Sequence, residues 1–85
     1  PSEEEVLIFE DLIKRLSAMP NTLTAEEIQT EIYQIGKDHN FTNLRDWFGL
    51  IYQVLFGKSE GPRFGSFVAI YGIDKTIQLI KDKVF

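Results

Sequence analysis

From Leu44 the sequence runs Leu-Arg-Asp-Trp-Phe-Gly-Leu-Ile-Tyr-Gln-Val-Leu-Phe before reaching Gly57, and only Arg45, Asp46, Gly49 and Gln53 lack a large apolar side chain. Asn43 or Thr42 can cap this run as a helix. Leu44, Trp47, Phe48, Ile51 and Leu55 then fall on one side, while Leu50, Tyr52 and Val54 cover most of the remainder. A helix apolar nearly all round belongs at the centre of a fold, covered by other elements. In an 85-residue chain those covering elements must come from the residues on either side.

They read as helices too. Ser2 and Glu5 form a capping box, and Phe9, Leu12, Ile13 and Leu16 recur at helical spacing, which predicts a helix over about residues 3–18. Met19-Pro20-Asn21 stops it, because a residue before proline is driven out of the α region. Thr24 and Glu27 repeat the capping box for a second helix that carries Ile28, Ile32 and Ile35 to about His39, with Asn40 as a left-handed cap. Gly36 inside this helix costs about 1 kcal/mol against alanine, so either a neighbour approaches closely or the last turn is weak. After the loop Lys58-Ser59-Glu60-Gly61, Pro62 is suited to open a fourth helix. Phe64, Phe67, Val68 and Tyr71 give that helix its face, and Gly72 closes it. Asp74 is the expected cap of a fifth helix with Ile73, Ile77, Ile80 and Val84 as its stripe. No alternating strand pattern or internal repeat competes. The expectation is an all-α, single five-helix bundle occupying residues 1–85.

Composition narrows the chemistry. With no cysteine and His39 as the sole histidine, disulfides, thiolate catalysis and Cys/His zinc sites are excluded. No Asp-x-Asp-x-Asp-Gly loop offers calcium a site, so no metal residue is nominated. The net charge of −4 conceals an uneven distribution. Residues 1–42 carry a net −6 and residues 43–85 a net +2, so any polyanion contact belongs to the second half. The chain has no apolar run of about 18 residues and no basic-then-apolar leader, so neither a membrane span nor a signal peptide is expected. It begins at Pro1, which fits a processed chain or a piece of a longer one.

No catalytic residues are nominated, because no nucleophile stands with an acid and base partner. His39 reads as a helix-end residue, where a cationic ring is favoured by the helix dipole, and Glu3-Glu4-Glu5 as a solvated first turn. The segment Gly57-Lys58-Ser59-Glu60-Gly61-Pro62-Arg63-Phe64-Gly65-Ser66-Phe67 is different. It brings Lys58 and Arg63 to a helix start, an arrangement that suits a phosphate or a base edge. The competing reading is a tight corner with Phe64 and Phe67 in the core. Trp47 is likewise either a core residue or a stacking platform.

Residues 47–77 resemble the C-terminal end of class I lysyl-tRNA synthetases, through Tyr52, Val54, Leu55, Gly57, Gly61-Pro62-Arg63, Gly65-Ser66-Phe67 and Gly72. Glutamyl-tRNA synthetases share a looser version of the pattern. Gly49 departs from it, where that family tends to place a longer side chain. The resemblance implies a helical anticodon-binding domain that contacts the tRNA anticodon loop and the rest of the synthetase chain, in the cytoplasm. The parent would join lysine to tRNA with ATP and magnesium. The piece itself would carry no catalysis and no cofactor of its own. The RNA-contact candidates it implies are Arg63 and Lys58, with Arg45 and Trp47 as weaker ones. An equivalent glutamyl domain and an all-α protein interaction module with an exposed apolar groove are the alternatives.

Overall fold

A computed structural model describes residues 2–85. They form five α-helices and no strands: α1 (Glu3–Ala18), α2 (Ala25–Asp38), α3 (Leu44–Phe56), α4 (Phe64–Tyr71) and α5 (Ile73–Val84). Both expected capping boxes are in place. The Ser2 and Thr24 side chains accept from the Glu5 and Glu27 amides, and each glutamate accepts from the cap residue's own N–H. Beyond the end of α2, Asn40 takes the expected left-handed conformation, with a φ of 67°. There the Asn40 and Phe41 amides return to the Lys37 and Gly36 carbonyls, a paired closure that satisfies two free carbonyls.

Of the two caps expected for α3, Asn43 is the one used, its side chain accepting from the Arg45 amide. Two boundaries are corrected. Pro62 does not open α4, which begins at Phe64 with Arg63 in the cap position. Nor does Asp74 cap α5, because Gly72 at φ 103° turns the chain directly from α4 into α5 and leaves Asp74 in the first turn.

The core draws on all five helices: Ile8, Phe9, Leu12 and Leu16; Ile28, Ile32 and Ile35; Trp47, Ile51 and Leu55; Phe64 and Val68; and Ile80. Helix α2 lies closest to α4 and α1 to α5, while α3 packs on α2 and α5. The central position expected for α3 is only partly observed. Trp47, Ile51 and Leu55 are buried, but Phe48, Leu50, Tyr52, Val54 and Phe56 are half-buried. Too few helices are present to enclose a fifth, so α3 keeps a flank at the surface.

Two glycines set the spacing. A Cβ on Gly36 would lie 2.6 Å from Cδ1 of Trp47, so the glycine makes room for the indole, the close approach its place in a helix suggested. A Cβ on Gly65 would lie 2.5 Å from the Ala25 carbonyl oxygen, which is why α4 can lie directly against α2.

Candidate functional site

The structure sorts the four candidate residues. Trp47 is fully buried between Phe9 and Phe41, with ring centroids 5.9 and 5.7 Å away. Its Nε1 donates to the Ile32 carbonyl at 2.9 Å, so no ring face or polar edge remains for a ligand. The core reading holds for Trp47, and it leaves the set.

Arg63 faces solvent at the start of α4, but its guanidinium is engaged. Nη1 and Nη2 donate to Oε1 and Oε2 of Glu26 at 2.7 and 3.1 Å, a fork on the first turn of α2. Both side chains are more than half exposed, at 51% and 73%, so the pair adds at most about 1 kcal/mol to stability. It holds the guanidinium in a planar, solvent-facing pose. A phosphate could compete with Glu26 for that fork.

The neighbouring motif residues have structural work. Gly65 N–H donates to the buried Gln29 Oε1 at 2.6 Å, so α4, which has no side-chain cap of its own, is capped from α2. A Cβ on Gly61 would lie 2.9 Å from Cδ1 of Tyr52, so the loop lies flat on that ring. The corner reading therefore accounts for Gly61, Phe64 and Gly65. Lys58 and Arg63 are the cationic side chains of the motif, and both are exposed.

Lys58 is exposed in the α3–α4 loop and Arg45 on the first turn of α3, and neither forms an ion pair among the described residues. Two hollows meet at Arg45 and Phe48. One is lined also by Tyr33, Thr42, Asn43 and Leu44, the other by Gly49, Tyr52, Ser59, Glu60 and Gly61. Together they form a shallow groove from the exposed side of α2 across α3 to the 57–61 loop. The Tyr33 ring, 37% exposed, stands edge to face with Phe48 at 5.1 Å. Tyr33 was not among the residues nominated from sequence. Its signal was available: an aromatic ring on the polar side of α2, away from Ile28, Ile32 and Ile35. Burial raises the Tyr52 hydroxyl above the ordinary tyrosine range, and the nearby Tyr33 adds to the shift.

Elsewhere the surface has a different character. A hollow at the ends of α1 and α2 is lined by Glu4, Glu5, Leu7, Ile8, Asp38 and His39. His39 is there the C-cap of α2, and its Nε2 lies 2.8 Å from Asp11 Oδ2. Burial works to raise the Asp11 carboxyl, but the His39 hydrogen bond and the Arg15 guanidinium outweigh it and hold Asp11 below its usual range. Arg15 also donates to Asp38 at 2.6 Å, tying α1 to the end of α2. The three acidic side chains around this hollow disfavour an anion. Helix α4 has no charged residue of its own, and Ile70 is 89% exposed beside Pro62, Ser66, Phe67 and Tyr71, with Lys75 of α5 at the edge. No described helix is long and apolar enough to cross a membrane.

No family model matches the chain, and no solved structure matches it significantly. Curated relatives do. The lysine-tRNA ligase of Rickettsia bellii is 44% identical over 84 residues, 99% of this chain. That of Rickettsia felis is 44% identical over 85 residues, all of it, and that of Rickettsia akari 43% over 84. In each the match occupies 16% of the relative's own length. The chain is thus homologous from end to end to one segment of these ligases and spans about a sixth of them.

Proposed function

We propose that this chain is the tRNA anticodon-recognition domain of a class I lysine-tRNA ligase. The observation that carries the proposal is the end-to-end homology to one segment of proteins named lysine-tRNA ligase, combined with a helical core to which all five helices contribute. The residues best suited to RNA are the solvent-exposed cations Arg45, Lys58 and Arg63, since cations next to exposed aromatics favour a phosphate chain with unstacked bases. ATP and magnesium would be held by the catalytic portion of the parent, which would work in the cytoplasm, and this chain would orient the tRNA.

The glutamyl version of the same domain is less favoured, because the Rickettsia relatives named above are lysine-tRNA ligases. One observation supports a protein contact in addition: helix α4, with no charged residue of its own and Ile70 exposed, suits docking against the rest of the ligase.

In the intact ligase, Arg63→Ala is expected to weaken charging of tRNA while ATP-dependent activation of lysine stays near wild type. Glu26→Gln frees the guanidinium and is expected to strengthen tRNA binding by a few-fold, about one phosphate contact's share. Steady-state charging and pyrophosphate exchange measure both. Loss of both activities together with a lower melting temperature in Arg63→Ala would show that the arginine only holds α4 to α2. Lysine tRNA that binds the ligase equally well with this segment deleted would overturn the proposal.

A further inference from the structure

We infer that the groove formed by Tyr33, Arg45, Phe48, Gly49 and Tyr52 is the seat of an unpaired RNA base, with the adjoining phosphate on Arg45. The inference rests on the RNA-binding reading above and gives that reading a location.

Three independent features converge there. The first is aromatic. Tyr33 is more than a third exposed although its ring is fixed by Phe48, 5.1 Å away and steeply inclined at 75°. A ring held in place and partly open to solvent is a preformed stacking platform, so a base that lands on it orders little else. The second is charge. Arg45 lines both hollows, whereas Glu60, the one acidic lining residue among those described, touches only the hollow on the 57–61 loop. Outside the lining, Lys37 follows Tyr33 by one turn on the exposed side of α2, and Lys58 is exposed in the loop that supplies Ser59, Glu60 and Gly61. The acid-lined hollow around Glu4, Glu5 and Asp38 has the opposite sign, and the Phe41 ring on its lining is half-buried against Trp47.

The third feature is Gly49. It lies inside α3, where glycine costs about 1 kcal/mol against alanine. Gly36 and Gly65 offset that cost by admitting Trp47 and the α2 backbone, but a Cβ built on Gly49 meets nothing within 4 Å. No neighbour in the fold uses the space it leaves. The space opens into the groove, between Phe48 and Tyr52. A bare stretch of helix beside two rings lets a planar base approach the floor, and any longer side chain there would fill it.

The test uses the 85-residue chain, whose core is complete within itself, and an RNA hairpin carrying the lysine anticodon loop, with a fully paired duplex as the comparison. Binding is followed by fluorescence anisotropy and by the ring-proton signals of Tyr33 and Phe48. The hairpin should bind more tightly than the duplex and move the Tyr33 ring signals upfield, as stacking requires. Tyr33→Ala and Gly49→Gln should each weaken hairpin binding by about tenfold or more, the usual loss when one stacked base is released. Tyr33→Phe should retain binding. Gly49→Gln removes no contact and should melt at or above the wild-type temperature, so its loss of affinity cannot be ascribed to unfolding.

If the wild-type chain binds the hairpin and both Tyr33→Ala and Gly49→Gln bind equally well, the groove is not the seat, while the RNA-binding reading stands. If the wild-type chain binds no RNA in low salt, both are overturned. Should it instead bind the remainder of the ligase supplied separately, and Gly49→Gln abolish that, the groove is an interdomain seat and the inference fails.

Discussion

Individual side chains here answer for different properties, and the hydrogen-bonded cluster Asp11, Arg15, Asp38 and His39 is tied to pH, as is the Glu27 carboxyl held low by its hydrogen bonds with Thr24. Asp11 is held below its ordinary value of 3.8 in the folded protein, against the raising effect of burial, by His39 and Arg15. A carboxylate depressed in the folded state contributes stability that is present above its unfolded value and lost as pH falls through the folded one. Asp38 is depressed too, by Gln34 first and then by Arg15. Unfolding free energy should therefore decline on acidification, with the loss beginning near pH 4 to 5, roughly one unit above the unfolded carboxylate value. Asp11→Asn keeps the shape but removes the titration. Urea melts at a series of pH values should show a shallower acid decline in the variant, and parallel wild-type and variant curves would mean that the cluster does not set it.

At the scale of elements, what was legible was what is local. Capping boxes at Ser2 and Thr24, the left-handed Asn40 and the helical stripes of isoleucine and leucine all act within a few residues, so all five helices could be placed from sequence. The start of α4 was misplaced because its cap is Gln29, 36 residues from the Gly65 amide that it accepts from. Trp47 shows the same limitation from the other side, since only the fold reveals that Gly36 and the Ile32 carbonyl close around the indole. Lys58 could be nominated from its charge near a helix start and Arg45 from the family resemblance, but Tyr33 joins Arg45 only when α2 and α3 are packed. The α2–α4 contact also predicts its own weak point. Gly65→Ala drives a methyl group into the Ala25 carbonyl, a backbone atom that cannot rotate away. Overpacking of this kind costs about 1–3 kcal/mol, and displacing α4 would also break the Gln29 cap. Thermal denaturation should show a clear fall in melting temperature, whereas alanine at Gly49, with open space around it, should raise it slightly. Equal responses at the two glycines would refute the packing account.

For the whole molecule the decisive quantity is where charge lies, because a chain of net −4 repels nucleic acid at long range. The acidic excess falls within residues 1–42, including the Glu4, Glu5 and Asp38 rim, whereas Arg45, Lys58 and Arg63 belong to the half with net +2. Binding should therefore be weak, oriented and sensitive to salt. If Arg45, Lys58 and Lys37 each neutralise one phosphate of an unpaired loop, the logarithm of the association constant should fall against that of salt with a slope of about −2, roughly 0.7 for each contact. A fourfold rise in salt would then weaken binding by about fifteenfold. Lys58→Ala should reduce the slope by about 0.7 and Tyr33→Ala should leave it unchanged, since a stacked base displaces no counterion. Anisotropy titrations of the anticodon hairpin from low to physiological salt measure both. A slope near zero would mean that these cations do not meet phosphate, and a slope that flattened in Tyr33→Ala would mean that the ring positions the backbone instead of holding a base.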